Sequence, residues 1–415
     1  MSTTIIHNIK QLIGIQENTE IPIQGKALAN LPVLENAWLE MSEGKIKNYG
    51  TMATLSSEQL NKCEYVIDAN GGMVGPAWCD SHTHLVFARS REEEFVMRLQ
   101  GKSYEEIAAA GGGILNSAAV LRDTPEDELY ESAARRLEEI IRMGTGAVEI
   151  KSGYGLTPES EWKMLRVIKR LKSTSPIPIK STFLGAHAVH PDFKANPDAY
   201  VDHVIYDMLP KVVDEGLADY IDVFCDRGFF TPEQTNRILE AGNKVGLKAK
   251  IHANELDYSG GIQVGVNNKA ISVDHLECTG EDEIAALKRG NTMPTLLPQT
   301  AFFLNIEYPP ARKIIDAGLP VALASDYNPG SSPSGNMFFT VALACIHMKM
   351  LPEEAINAAT INGAFAMELE KNFGSITKGK AANLWITEPI SSYAFIPYSF
   401  GRAPLKHVII NGNTY

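Results

Sequence analysis

The amino-acid sequence predicts an α/β fold, a (β/α)8 TIM-type barrel joined to a small β-sandwich formed by the N- and C-terminal segments. Three observations carry this expectation. Apolar runs of strand length alternate with amphipathic stretches of helix length through the middle of the chain, the signature of βα units around a parallel sheet. Eight such runs can be counted, the number that closes a barrel. Short β-type segments broken by turn residues occur at both ends. The chain has 415 residues, room for a barrel of about 250 residues and an accessory unit. Residues 1–70 and 370–415 are assigned to the accessory β domain and 71–369 to the barrel.

In chain order, the N-terminal flank holds the β-type runs Ala37–Met41 and Tyr65–Ile67, separated by Gly, Asn and Ser-Glu-Gly turns. The eight buried-type runs are Gly75–His84, Ala147–Ser152, Ile179–His187, Tyr220–Cys225, Leu247–His252, Ala270–His275, Thr292–Leu297 and Pro320–Ser325. Helical stretches at Glu126–Met143, Glu161–Leu171, Pro232–Gly242 and Glu281–Lys288 separate several of them. Ala382–Thr387 and His407–Asn411 supply β character at the far end. An open doubly wound sheet would carry a Gly-rich phosphate loop after its first strand, but Asp80-Ser-His-Thr-His84 stands there instead. Gly111-Gly-Gly113 lies in a long loop without the strand-to-helix context of a nucleotide site.

Composition narrows the function classes. Hydrophobic residues make up 44% and charged residues 21%, ordinary values for a globular protein. No run approaches the roughly 20 apolar residues of a membrane-spanning helix, and the N-terminus does not read as a signal peptide. Net charge is −12 without a basic patch, which argues against nucleic acid as a partner. Five scattered cysteines form no CxxC pair, so neither a disulfide framework nor a cysteine zinc site is expected. A cytoplasmic enzyme acting on a small molecule fits these limits. Oligomeric state is left open, a homodimer included.

The chemistry gathers at strand ends. His82 and His84 close the first run, where a period of two turns both imidazoles to one side, into the barrel mouth. Of ten histidines, His82, His84, His187, His252 and His275 all fall at C-terminal strand ends, where barrel active sites lie. Asp326 follows the last strand directly. Any one of these is unremarkable, but all six together point to a metal site. Three neutral imidazoles and a carboxylate suit zinc or iron rather than magnesium or calcium. A catalytic zinc site also leaves room for a water whose pKa falls to about 7. Two-metal barrels usually place a bridging lysine at the end of the fourth strand, and Tyr220-Ile-Asp-Val-Phe-Cys225 has none. Lys151 is the nearest candidate and is read as a surface or outer-sphere lysine, so one ion per chain is expected.

Glu255 follows His252 by three residues and is placed to move a proton between water and a leaving nitrogen; the bland alternative is a glutamate that starts a helix. His275 is placed to orient the attacking oxygen or to stabilise an oxyanion. Glu255, His275 and Asp326 all remain candidates for the main proton shuttle. Arg91, Tyr104, Tyr154 and Ser331 sit in loops after contributing strands, although Arg91 could equally pair with Glu92, Glu93 or Glu94 on a solvated face. The constrained loop Asp326–Ser332 offers backbone N–H groups as an anion nest.

On these motifs the chain resembles the imidazolonepropionase family of the amidohydrolase superfamily. The match rests on Asp80-Ser-His-Thr-His-Leu-Val-Phe87, Ser90-Arg-Glu92, Leu99-Gln-Gly-Lys-Ser-Tyr104 and Gly111-Gly-Gly-Ile114. It continues through Lys151-Ser-Gly-Tyr-Gly-Leu156, Phe183-Leu-Gly-Ala-His187, Ile251-His-Ala-Asn-Glu255, Val273-Asp-His275 and Ser325-Asp-Tyr-Asn-Pro-Gly-Ser331. The resemblance implies ring opening of 4-imidazolone-5-propanoate to N-formimidoyl-glutamate in histidine degradation. It implies one Zn or Fe ion on His82, His84, His252 and Asp326. It also implies substrate contacts from Arg91, Tyr154, His187, Glu255, Asn328, Gly330 and Ser331, with His187 or His275 facing the oxyanion. A deaminase of the same superfamily would share the ligands and Glu255 but would need no site for a carboxylate tail. A catalytically silent scaffold would have lost ligands, and none is missing.

Overall fold

The computed structural model describes residues 3–17, 20–102, 106 and 112–415. The chain begins with β1 (Thr3–Ile13), β2 (Val33–Ser42), β3 (Lys45–Thr51), β4 (Tyr65–Asp68) and β5 (Gly72–Pro76). The parallel strands follow: β6 (Trp78–Asp80), β7 (Thr145–Lys151), β8 (Ile179–Ala186), β9 (Tyr220–Cys225), β10 (Lys248–Ala253), β11 (Ser272–His275), β12 (Met293–Leu296) and β13 (Ala322–Leu323). The chain ends with β14 (Leu384–Pro389), β15 (Leu405–Ile410) and β16 (Asn413–Thr414).

The two ends meet in one mixed sheet of order β16-β15-β14-β5-β1-β2-β3, with β4 also on β1. It surrounds a core of its own, including Ile6, Leu39, Met41, Val74, Leu384, Ile386 and Ile409. The register of β1 shifts between Ile6 and Ile9, where Asn8 takes φ 53°, a left-handed conformation that asparagine tolerates better than branched residues. Gly75 pairs with Trp385 across the β5–β14 junction, and a Cβ there would meet the indole at 2.4 Å. Only glycine lets the two chain ends approach so closely.

The second sheet runs β6 to β13 in sequence order, every neighbouring pair parallel. Closure is made just beyond the strands. Thr83 bridges Tyr327, the His84 N–H donates to the Tyr327 carbonyl at 2.9 Å, and the Asp326 N–H donates to the His82 carbonyl at 3.0 Å. The seam of the barrel is therefore the segment that carries three of the expected metal ligands.

Helices cover the outside where the spacing predicts them. Glu126–Arg142 buries Leu129, Ala133, Leu137, Ile140 and Ile141 on one stripe. Pro232–Lys244 begins with Pro at its first turn behind a reciprocal cap between Thr231 and Gln234. Pro158–Thr174 starts three residues earlier than the apolar period suggested, because Pro158 opens it. No helix among the described residues is long and apolar enough to cross a membrane.

Two expectations need correction. The run Gly75–His84 is not one strand. Its first part joins β14, and at Ala77 the backbone changes partners: the Ala77 N–H goes to Asn383, and the Trp78 N–H goes to Gly144 beside β7. The barrel strand then ends at Asp80, so His82 and His84 lie in the extended segment past it. The barrel strands are also apolar on one face only, not throughout as buried-type runs imply. Their outward residues, among them Val148, Ile150, Ile221, Val223, Ile251 and Val273, join the helix-facing core. Their inward alternates are Glu149, Lys151, Asp222, Lys250, His252 and Asp274, all buried.

Candidate metal centre and active site

His82, His84 and His252 bring their ligand atoms within 4.8 Å of one another, and all three are buried. The Nε2 atoms of His82 and His252 lie 3.3 and 3.2 Å from His84 Nε2. Asp326 Oδ1 is 3.4 Å from His82 Nε2 and 3.6 Å from His84 Nε2. Four donors about 2.0–2.1 Å from a tetrahedral ion stand roughly 3.3 Å apart, which matches this spacing. His82 Nδ1 faces Asp274 Oδ2 at 2.7 Å and His252 Nδ1 faces Asp222 Oδ1 at 3.1 Å. A carboxylate on Nδ1 places the proton there and leaves the Nε2 lone pair for an ion. Burial holds the His82 and His84 pKa values well below the ordinary range, so both stay neutral as ligation needs. Lone pairs this close repel unless a cation lies between them. The donor set fits one metal ion.

Asp326 takes φ 54°, and its Oδ2 accepts the Thr300 hydroxyl at 2.6 Å. Left-handed backbone recurs at Asn254 (φ 59°), His275 (φ 86°) and Leu276 (φ 68°), all at the same barrel end. Such residues cost roughly 1–3 kcal/mol each and cluster where side chains must be aimed. At His275 the reason is visible. Strand period places Ser272 and Asp274 inward and would turn His275 outward, and the positive φ brings its ring back, 5.3 Å from His252.

His275 is flanked by two carboxylates, Glu255 at 3.7 Å from Nε2 and Glu277 at 3.7 Å from Nδ1. Burial pushes the imidazole down, but the two carboxylates outweigh it and raise its pKa to about 10. Burial raises Glu255 to about 7. Glu255 lies in a bent segment before the helix Gly261–Asn267, so it does not start a helix.

His187 stacks on His84 with centroids 5.2 Å apart, and its Nδ1 lies 3.1 Å from the Gly153 carbonyl. Burial lowers its pKa to about 3. Tyr154 is buried 5.8 Å from His84 by ring centroids. Its loop is held by Glu161, whose carboxylate accepts the N–H groups of Gly153, Gly155 and Leu156 at 3.1, 2.7 and 3.0 Å.

Arg91 precedes the helix Glu92–Leu99 and forms a two-pronged pair with Glu94, at 2.8 Å from Nε and 2.6 Å from Nη2. This is not a solvated face. Glu94 also accepts the Gly113 N–H at 2.9 Å, and a Cβ on Gly330 would lie 2.4 Å from Arg91 Nη1. The Asp326–Ser332 turn is not an anion nest at Gly330 and Ser331, since both N–H groups go to Asn328 Oδ1 at 2.7 and 2.8 Å. Asn328 Nδ2 in turn donates to the Asp326 carbonyl and to Ser331 Oγ, so the turn is closed on itself. Tyr104 and Gly111 lie outside the described residues.

Comparison with known proteins agrees with this geometry. Residues 73–415 match the Amidohydrolase family. An imidazolonepropionase of Christiangramia forsetii is 54% identical over 99% of both chains. One from Geobacillus kaustophilus is 43% identical over 99% of this chain and 97% of its own. The chain belongs to the imidazolonepropionase family of amidohydrolases. Among solved structures, E. coli guanine deaminase superposes with a TM-score of 0.75 at 14% identity over 100% of this chain and 99% of its own. A triazine hydrolase variant gives 0.73 at 17% identity over 99% and 94%. At that identity these two show the fold alone.

Membership of the imidazolonepropionase family makes the chain a metal-dependent hydrolase. Within it, sequence reasoning missed the groups that aim the ligands. Asp222 and Asp274 orient His252 and His82, Glu277 flanks His275, and Arg98 holds the Gly330 carbonyl at 2.9 Å. Of the two expectations for Lys151, the surface position fails and the outer-sphere position holds, since its partner Asp222 carries His252. The lysine is fully buried against Glu149 at 2.6 Å and Asp222 at 2.8 Å. The available signal was an acidic or basic residue at alternate positions of a buried strand, as in Glu149-Ile-Lys151 and Lys250-Ile-His252.

Proposed function

We propose that the chain opens the ring of 4-imidazolone-5-propanoate by hydrolysis of its cyclic amide, giving N-formimidoyl-L-glutamate in histidine degradation. The reading gives it one zinc or iron ion on His82, His84, His252 and Asp326. The observation that carries it is the pairing of that donor set with an acid–base couple, Glu255 and His275, 3.7 Å apart. Such an ion supplies Lewis acidity and makes water ionise near neutral pH.

The chain's own groups do the rest. Glu255, raised toward neutrality by burial, takes a proton from the attacking water and returns it to the ring nitrogen as the C–N bond breaks. His275, kept cationic by Glu255 and Glu277, donates to the oxygen on which charge develops. His187 suits a different task. A carbonyl only accepts, so the His187 proton sits on Nδ1 toward Gly153, which leaves Nε2 as an acceptor for a substrate N–H. Tyr154 adds a hydroxyl beside it, while Asn328 and Ser331 fix Asp326 from behind.

Arg91 reads the propionate, its planar fork set over the mouth by Glu94. Arg91→Met is expected to keep the metal and lower kcat/KM by about 2 kcal/mol, the low end for one partner of a charge pair, because Glu94 already offsets part of the Arg91 charge. Arg91→Lys recovers only part. Equal losses on an imidazolone without the propionate would remove Arg91 from carboxylate recognition. A cytoplasmic location follows from the same reading, and the five free thiols suit a reducing compartment.

The direct test is loss of the imidazolone chromophore on adding metal-loaded protein to imidazolone propionate. No turnover of that compound, together with deamination of cytosine or guanine, would replace this reading with the deaminase one.

A further inference from the structure

We infer that Lys151 is a positioning residue for the metal centre, a single ammonium that braces the two carboxylates aiming two of the three imidazoles. The inference rests on the metal assignment above. Lys151 ends β7 facing inward, and its Nζ lies 2.8 Å from Asp222 Oδ2 and 3.6 Å from Asp274 Oδ2. Asp222 Oδ1 holds His252 through both the ring Nδ1 and the backbone N–H, each at 3.1 Å. Asp274 Oδ2 holds His82 Nδ1 at 2.7 Å, and Asp274 Oδ1 accepts the Ser272 hydroxyl at 2.5 Å. Lys151, Asp222 and Asp274 have no solvent exposure.

Without Lys151, the two buried carboxylates would keep only the hydrogen bonds from His252, His82 and Ser272, with no cation between them. Such a pair relaxes by moving apart, and that turns an imidazole away from the ion. The lysine ties the pair from below, and Glu149, 2.6 Å from its Nζ, fixes it in turn. Lys250 makes the useful contrast. It is equally buried and also pairs with Glu149, yet its other bonds go to the carbonyls of Ser81 and Ala366. Both lysines support the barrel interior, but only Lys151 touches the carboxylates behind the ligands.

The test measures zinc affinity of the folded protein by competition with a chelator, beside the thermal midpoint of the metal-free form. Lys151→Met is expected to bind zinc about 10- to 100-fold more weakly than wild type, the usual effect of losing a group that orients metal ligands. Lys250→Met is expected to lower the thermal midpoint comparably while keeping affinity near wild type. Lys151→Gln, which reaches one carboxylate but not both, is read in the same way if methionine prevents folding. Wild-type affinity in the Lys151 variants, or an equal loss in Lys250→Met, would overturn the positioning role. Wild-type protein that binds no ion would instead overturn the metal assignment itself.

Discussion

His252→Ala is expected to purify without a stoichiometric ion and without hydrolase activity. Its Nε2 stands 3.2 Å from His84 Nε2 in a cluster of three imidazoles, so its loss removes a whole donor rather than weakening one. No neighbouring imidazole replaces it: among the described residues only His82, His84 and His252 bring ligand atoms within 4.8 Å of one another, and His275 is held cationic between two glutamates. Removal also strips Asp222 of its ring donor at a fully buried position, a cost of roughly 1–3 kcal/mol to the fold. Elemental analysis, activity and thermal midpoint should therefore fall together. A variant that keeps one ion per chain would take His252 out of the ligand set. Two ions per wild-type chain would overturn the mononuclear assignment.

Glu255→Gln is expected to keep the ion and lose about 10²-fold or more in kcat, the scale of a positioned acid–base group. The amide keeps size and hydrogen bonding but moves no proton. Burial raises Glu255 to about 7, and the group must be deprotonated to accept a proton. Wild-type activity should thus fall as pH drops through that value, and the variant's residual activity should lack this acidic limb. Loss of the negative charge also removes one of the two carboxylates that raise His275, so part of the decrease is expected to pass through that imidazole. Near-normal turnover with metal retained would leave Glu255 a structural role only.

The candidate ligands were legible because their positions at strand ends show in local spacing. His82 and His84 are two apart on extended backbone, and His252 and Asp326 end or follow buried runs. The eight barrel strands were legible for the same reason, since alternation of apolar runs with helical periods is a short-range pattern. Arg91 was only half legible. Its acidic neighbours at 92, 93 and 94 are equivalent in sequence, and what selects Glu94 is the Gly113 N–H and the close approach of Gly330. The Asp326–Ser332 turn misled because donors can be counted in sequence but their partners cannot, and Asn328 takes two of them.

By itself the sequence determined the barrel, the union of the two chain ends in a second sheet, and a site of imidazoles and a carboxylate at the strand ends. These depend on periods of two and 3.6 residues and on residue type, which neighbours along the chain express directly. Tertiary structure alone decided which group holds which. The split of the first run at Ala77 joins it to Asn383, 306 positions away, the buried span from Lys151 reaches Asp222 and Asp274, 71 and 123 positions on, and the reversal of the His275 ring sets it beside His252. Their energies come from desolvation, and desolvation is a property of the closed barrel rather than of any segment within it.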